Sequence, residues 1–206
     1  MTRKTGSSAE KTLAAIRRAG IDRLYKQGFA GMTLRELAAD VGIQAGSLYN
    51  HFSNKQELLY SILIFVMTEL LDELKLSLQS AKDPHSALMA FVECHVIFHC
   101  DKRKEVLVST TELRSLTPEN YRRTIEFRDQ YEKQLKDILI WGAQENYWQA
   151  VDYKIATKLI LGMMTSVGVW YRTDGPVDKT GIVKIYQATV DNLLKNEMQS
   201  LRMHAL

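Results

Sequence analysis

Apolar positions along this chain recur every three or four residues from one end to the other, and no stretch shows the alternation that a half-buried strand requires. Leu13, Ile16, Gly20 and Leu24 step by three, four and four, and the pattern stops at Gly28. Thr33 followed by Glu36 has the form of a capping box, in which the hydroxyl satisfies an orphan amide of the first turn. It opens a short helix striped by Leu34, Leu37, Ala38 and Val41 that ends at Gly42. A second short helix over 44–52 carries Ala45, Leu48 and Phe52, and Ser53 or Asn54 caps a long one. Its stripe is Leu59, Ile62, Val66, Leu70, Leu74 and Leu78, and it runs to about Ala81. Asp83-Pro84 is a cap followed by proline at the first helical position. That helix reaches about His99, and the cluster Lys102-Arg103-Lys104 separates it from a shorter one ending near Leu116. Thr117-Pro118 starts a long helix to about Asn146, Asp152 another to Arg172, and Asp178, after the turn Asp174-Gly175-Pro176, a last one to Gln199. The pattern predicts an all-α chain of about nine helices.

Composition narrows the class. Apolar residues make up 46% of 206 residues and prolines number three, which supports a packed core and excludes disordered or collagen-like chains. The two cysteines, Cys94 and Cys100, are too few for a disulfide framework and fit a reducing compartment. Residues 1–10 lack the apolar run of a signal peptide, and 58–71, the longest candidate span, is too short and too polar to cross a bilayer. A cytoplasmic protein without membrane attachment is expected.

Charge is distributed unevenly. Residues 1–60 hold nine Lys/Arg against five Asp/Glu, a balance of +4, and the remainder carries 18 against 19, or −1. A small basic module joined to a larger neutral one follows. Within the basic module, two short helices around a glycine turn have the size and spacing of a helix-turn-helix. The second begins Gln44-Ala45-Gly46-Ser47, small and polar, as a helix must be to approach base edges in the major groove. Gly46 costs a helix about 1 kcal/mol relative to alanine, so its presence favours clearance over stability. Tyr49, Asn50 and His51 add hydrogen-bonding groups, and Lys55 sits at a helix start, where an anion is favoured.

The run Thr33-Leu34-Arg35-Glu36-Leu37-Ala38, then Val41-Gly42-Ile43, Gly46-Ser47-Leu48-Tyr49-Asn50-His51-Phe52 and Lys55-Gln56-Glu57-Leu58-Leu59, closely resembles the TetR family of transcriptional regulators over about residues 10–60. The resemblance implies a homodimer with an N-terminal DNA-binding domain and a larger helical domain that binds an effector and dimerises. Carried over by position, Thr33, Tyr49, His51 and Lys55 would hold phosphates of a double-stranded operator. Arg35, Gln44, Ala45, Gly46, Ser47 and Asn50 would face bases or their surroundings. The division expected is a flexible arm over 1–9, the DNA-binding domain over 10–55 and the effector-binding and dimerisation domain over 56–206.

The larger part carries no P-loop, no GxSxG and no recognisable triad, so no enzyme and no cofactor is expected. His95 and His99 lie at i and i+4, a spacing that can chelate a metal and equally one that lines a core. No metal is assigned. Arg128 falls on the inward stripe Tyr121, Arg128, Leu135, Gly142, so it needs an anionic partner, either Glu112 or Glu132 or a ligand. Thr111-Glu112-Leu113-Arg114, Arg128-Asp129-Gln130-Tyr131-Glu132 and Trp170-Tyr171-Arg172-Thr173-Asp174-Gly175 resemble the branch of the family that represses fatty-acid and sterol catabolism and responds to acyl-CoA thioesters. Glu145-Asn146-Tyr147-Trp148 departs from the glycine–phenylalanine pair of that branch. Phe91, Phe98, Ile125, Ile138, Met163 and Trp170 could line an acyl tunnel, with Arg103, Arg122, Arg123, Arg128 or Arg172 for the anionic groups. A multidrug-responsive efflux regulator binding aromatic or cationic compounds is the alternative. Ile182, Ile185, Tyr186, Thr189 and Leu193 predict a dimer stripe, with Gly162 and Gly168 allowing close helix approach.

Overall fold

The computed structural model describes residues 5–149 and 152–197, and all regular structure among them is helical. Helix α1 spans Thr5–Gly31 and breaks at Gly28, whose φ of 69° and ψ of 175° suit glycine alone. The helix therefore starts within the expected 1–9 arm: nothing from Thr5 onward breaks it, and Ala9, Glu10 and Lys11 are strong helix formers. Residues 1–4 lie outside the described part. Helices α2 (Leu34–Val41) and α3 (Ala45–Tyr49) follow. The α3 helix is shorter than 44–52, because after Tyr49 the chain closes on Leu48 O through His51 and Phe52 N–H.

Helices α4 (Lys55–Leu78), α5 (Pro84–Asp101) and α6 (Arg103–Thr111) come next, then a single 3-10 turn at Leu113–Ser115 and α7 (Pro118–Gln144). Capping at Asp83 is reciprocal with Ser86, as the sequence signal requires. The helix expected over 152–172 is two, α8 (Tyr153–Thr165) and α9 (Val167–Trp170), and α10 (Lys179–Asn192) ends in a π-helical turn, Leu193–Glu197. The expected end at Gln199 lies outside the described residues.

The chain packs as two compact units. The first joins the described residues up to 67 with 104–126; the second joins 68–103 with the described residues from 127 on. Val108 and Leu116 explain the first grouping, since both are buried in the core formed by Ile16, Leu24, Leu37, Leu48, Leu59 and Ile62. Gly20 lets α1 approach α4 closely: a Cβ there would lie 2.8 Å from Ile62 Cδ1. In the second unit α5 is the central helix, packed against α8, α9 and α10 and apolar nearly all round, with Leu88, Phe91, Val92, Val96 and Phe98 buried.

Candidate nucleic-acid interface

The exposed face of α3 is built from its surroundings inward. Thr33 Oγ1 accepts from Glu36 N–H at 3.3 Å and starts α2; Gly42, at φ 70°, ends it and turns the chain toward α3. Arg23 of α1 holds Asp40 of α2 through a two-point ion pair and Glu36 at 3.2 Å, fixing α2 on α1. Leu48 is the one α3 residue fully buried, and Phe52 follows it into the same core. Gln44, Gly46, Ser47, Tyr49 and Asn50 are all exposed, Tyr49 by 54%, while His51 is half-buried and Ala45, half-buried as well, packs against that core. Thr33 and Arg35 are exposed as well. A Cβ on Gly46 would meet nothing within 4 Å, so the protein's own packing does not demand glycine there.

Lys55 is placed differently from the rest. Its ammonium donates to Phe29 O at 2.6 Å, Met32 O at 3.1 Å and Ala30 O at 3.4 Å, and lies 4.3 Å from the Phe29 ring centroid. Three carbonyls use the three donors of an ammonium. Lys55 thus closes the C-terminal end of α1, a role its position at a helix start did not reveal. Asn54, not Ser53, caps α4, accepting from Glu57 N–H at 2.9 Å. Glu57 in turn accepts from Ser53 Oγ and N–H, which holds its pKa below the usual glutamate value.

The second unit contains a polar chain inside its core. His95 Nδ1 is 3.0 Å from Tyr131 Oη and its Nε2 is 3.2 Å from Thr165 Oγ1. His99 Nδ1 donates to His95 O at 2.8 Å, and the two imidazoles stack at 3.8 Å between centroids. Burial drives both below the ordinary histidine value, His99 to about 4, and raises Tyr131. Burial also pushes Cys94 and Cys100 up to about 11, which keeps both as thiols. The spacing i, i+4 brought the two histidines together, but Tyr131 and Thr165 come from distant helices that no local pattern links to them.

The residues expected to meet a ligand differ in burial and in partners. Phe91 and Phe98 are core residues, Phe91 with its ring centroid 5.0 Å from that of Tyr131, and Met163 and Arg128 are half-buried. Trp170 is 53% exposed on α9. Arg172 is exposed and paired with Asp174 at 2.9 Å. Arg122 and Arg123 are exposed and belong to the first unit, Arg123 pairing with Glu119 at 2.8 Å. Arg103 donates to Gly168 O at 3.0 Å and Val169 O at 3.1 Å. Of the acids considered for Arg128, Glu132 pairs with Lys158 at 3.3 Å and Glu112 accepts from Ser115 Oγ at 2.8 Å. The unexpected turn sequence has a structural use: Trp148 is buried against Gly142 and donates to Leu139 O at 2.9 Å, with Asn146 at φ 60° turning the chain. Among the described residues no helix is long and apolar enough to cross a membrane.

Comparison with known proteins bears on both units. Residues 16–62 match the model of bacterial regulatory proteins of the tetR family, and residues 81–194 match that of the tetracyclin repressor-like C-terminal domain. The HTH-type transcriptional repressor KstR2 of Mycobacterium tuberculosis is 26% identical over 171 residues, covering 80% of this chain and 84% of that protein. A tetR-family regulatory protein from Rhodococcus RHA1 superposes with a TM-score of 0.83 at 26% identity, over 90% of this chain and 97% of that one. AibR, solved with isovaleryl coenzyme A and operator DNA, shares the fold with a TM-score of 0.77 at 21% identity, over 89% and 97% of the two chains. An exposed polar face on an anchored short helix and family matches across both parts of the chain lead to one conclusion: this protein belongs to the TetR family of transcriptional regulators.

Proposed function

We propose that this regulator is a dimeric repressor that occupies a palindromic operator and releases it when an acyl-CoA thioester binds the C-terminal domain. The observation that carries the DNA half is the row Gln44, Gly46, Ser47, Tyr49 and Asn50, exposed on and beside a helix whose one fully buried residue is Leu48. Such a helix can enter a major groove without losing its own core contacts. Dimerisation is supported by Ile155 and Leu159 of α8 and Ile185 of α10, each more than half exposed, which water alone would cover at a cost. Two copies would set their reading helices about 34–36 Å apart, or a multiple of it, to match half-sites of a palindrome.

Support for the effector comes from AibR, which shares the fold and was solved with isovaleryl coenzyme A and operator DNA, and from KstR2, a repressor similar along most of the chain. The chemistry agrees: an acyl chain adds about 0.8 kcal/mol per buried methylene, and the phosphates of coenzyme A favour guanidinium groups. Neither half by itself shifts a two-state population far.

The operator is to be selected from random duplexes, and binding followed by fluorescence anisotropy. Tyr49→Ala weakens selected and random duplexes equally if Tyr49 holds phosphate. Asn50→Ala changes base preference by about 1–3 kcal/mol if it reads a base. Equal losses from both variants on both duplexes contradict the assignment. Calorimetry with acyl-CoAs, free fatty acids, coenzyme A and aromatic cations tests the effector. Binding of the cations alone replaces the acyl-CoA reading with that of an efflux regulator.

A further inference from the structure

The turn between α6 and α7 is fastened to the first turn of α4 by one side chain. Gln56 Nε2 donates to Ser115 O at 2.7 Å, and Gln56 Oε1 accepts from Thr117 N–H at 3.1 Å. A primary amide carries a donor and an acceptor side by side, so it grips two backbone groups at once. The turn is braced on its other side. Glu112 Oε2 accepts from Ser115 Oγ, and Glu112 Oε1 lies 3.3 Å from where a Cβ on Gly28 would be. Leu116 enters the same core as Leu48 of α3.

Adjacent residues of α4 therefore hold two different segments. Lys55 holds the carbonyls at 29–32, which lead into α2, and Gln56 holds the turn from which α7 departs. Helix α7 starts one residue after Thr117 and continues past the first unit, to Gln144. Apolar contacts such as those of Leu116 tolerate sliding, whereas two hydrogen bonds on one amide fix both position and rotation.

We propose that the Gln56 clasp is a conformational latch, the joint through which DNA on α3 is felt at the start of α7 and through which a change along α7 is felt at α3. This rests on the DNA-binding reading above and adds the side chain that couples the two places. Coupling between two sites is reciprocal, so the latch can be tested with DNA alone, before any effector is known.

The test is amide hydrogen exchange of the full-length protein, free and saturated with the selected duplex. The reporters are Asn120 and Tyr121, whose N–H groups bond to Thr117 and not to Gln56. In the wild type, DNA slows them by about fivefold or more, the low end of usual site-to-site coupling. In Gln56→Met, which keeps the side-chain length and loses both bonds, that slowing disappears while residues 45–49 remain protected by DNA. Should Gln56→Met not fold, Gln56→Glu serves, since it retains the acceptor for Thr117 and loses the donor to Ser115; its slowing falls below that of the wild type. Undiminished slowing in the variant overturns the latch. So does its absence from the wild type when 45–49 are protected. Lack of protection at 45–49 in the wild type overturns the DNA-binding reading itself, and the latch with it.

Discussion

The α3 face of the first unit and the core of the second use polar side chains in opposite ways. The first leaves them outside, around a helix of five residues with one fully buried side chain, so that Gln44, Ser47, Tyr49 and Asn50 face solvent. The second encloses them: His95 and His99 are 2% and 5% exposed, and Tyr131 and Thr157 are buried beside apolar helices. An exposed polar row costs nothing to leave unpaired and is free to meet a partner. Enclosed polar groups must satisfy one another, as His95 does with Tyr131 and Thr165, and a neutral state is then forced on each imidazole. Changes at the surface of the first unit are therefore expected to cost function and leave stability. The second is expected to show the reverse.

Four measurements would break or sharpen that contrast. The largest effect is expected at Gly142, where a Cβ would sit 1.9 Å from Trp148 Cζ2. Gly142→Ala should destabilise the second unit by about 3 kcal/mol, the upper end for overpacking, as read by urea unfolding. Adding Trp148→Ala should recover part of the loss, and no recovery would mean that the clash is not the cause.

Acid comes next. Both imidazoles protonate less readily in the folded protein than in the unfolded chain, so their contribution is whole above pH 6.5 and is lost as pH falls, for His99 through about 4. For His99 alone that window amounts to about 3 kcal/mol. Urea midpoints measured across it should fall steeply, and His99→Gln should flatten the slope. A wild-type midpoint independent of pH would contradict the buried neutral pair.

Lys55 separates two roles. Lys55→Met removes charge-assisted bonds to three carbonyls and should cost about 2 kcal/mol in the first unit. The slope of operator affinity against salt should stay as it is. Unchanged stability with a slope smaller by about one would return Lys55 to a phosphate.

The smallest effect carries the sharpest sign. Gly46→Ala should stabilise the protein by about 1 kcal/mol or less, since the new methyl meets nothing and alanine favours the helix. The same change should weaken operator binding. Weaker stability with normal binding would place the reason for glycine inside the protein.

Much of this was legible in local sequence because local physics sets it. Thr33, Asp83, Asp152 and Asp178 each cap the helix they were expected to open, since a cap satisfies amides two or three residues away. Leu48 and Phe52 were readable as the buried side of the second short helix, and the exposed row follows from them. The helix break at Ser166, by contrast, has neither glycine nor proline to announce it.

What the sequence determined by itself is the all-α class, the helix-turn-helix and the residues on its outer face. All rest on periodicity and capping within a few residues. Only the tertiary structure decided which distant groups meet. It engaged Lys55 with the end of α1, placed Trp148 over Gly142, joined His95 to Tyr131 and Thr165, and left Trp170 and Arg172 at the surface. The physical reason is that contacts between helices depend on their crossing geometry, which side chains far apart in the chain set together and no local pattern encodes.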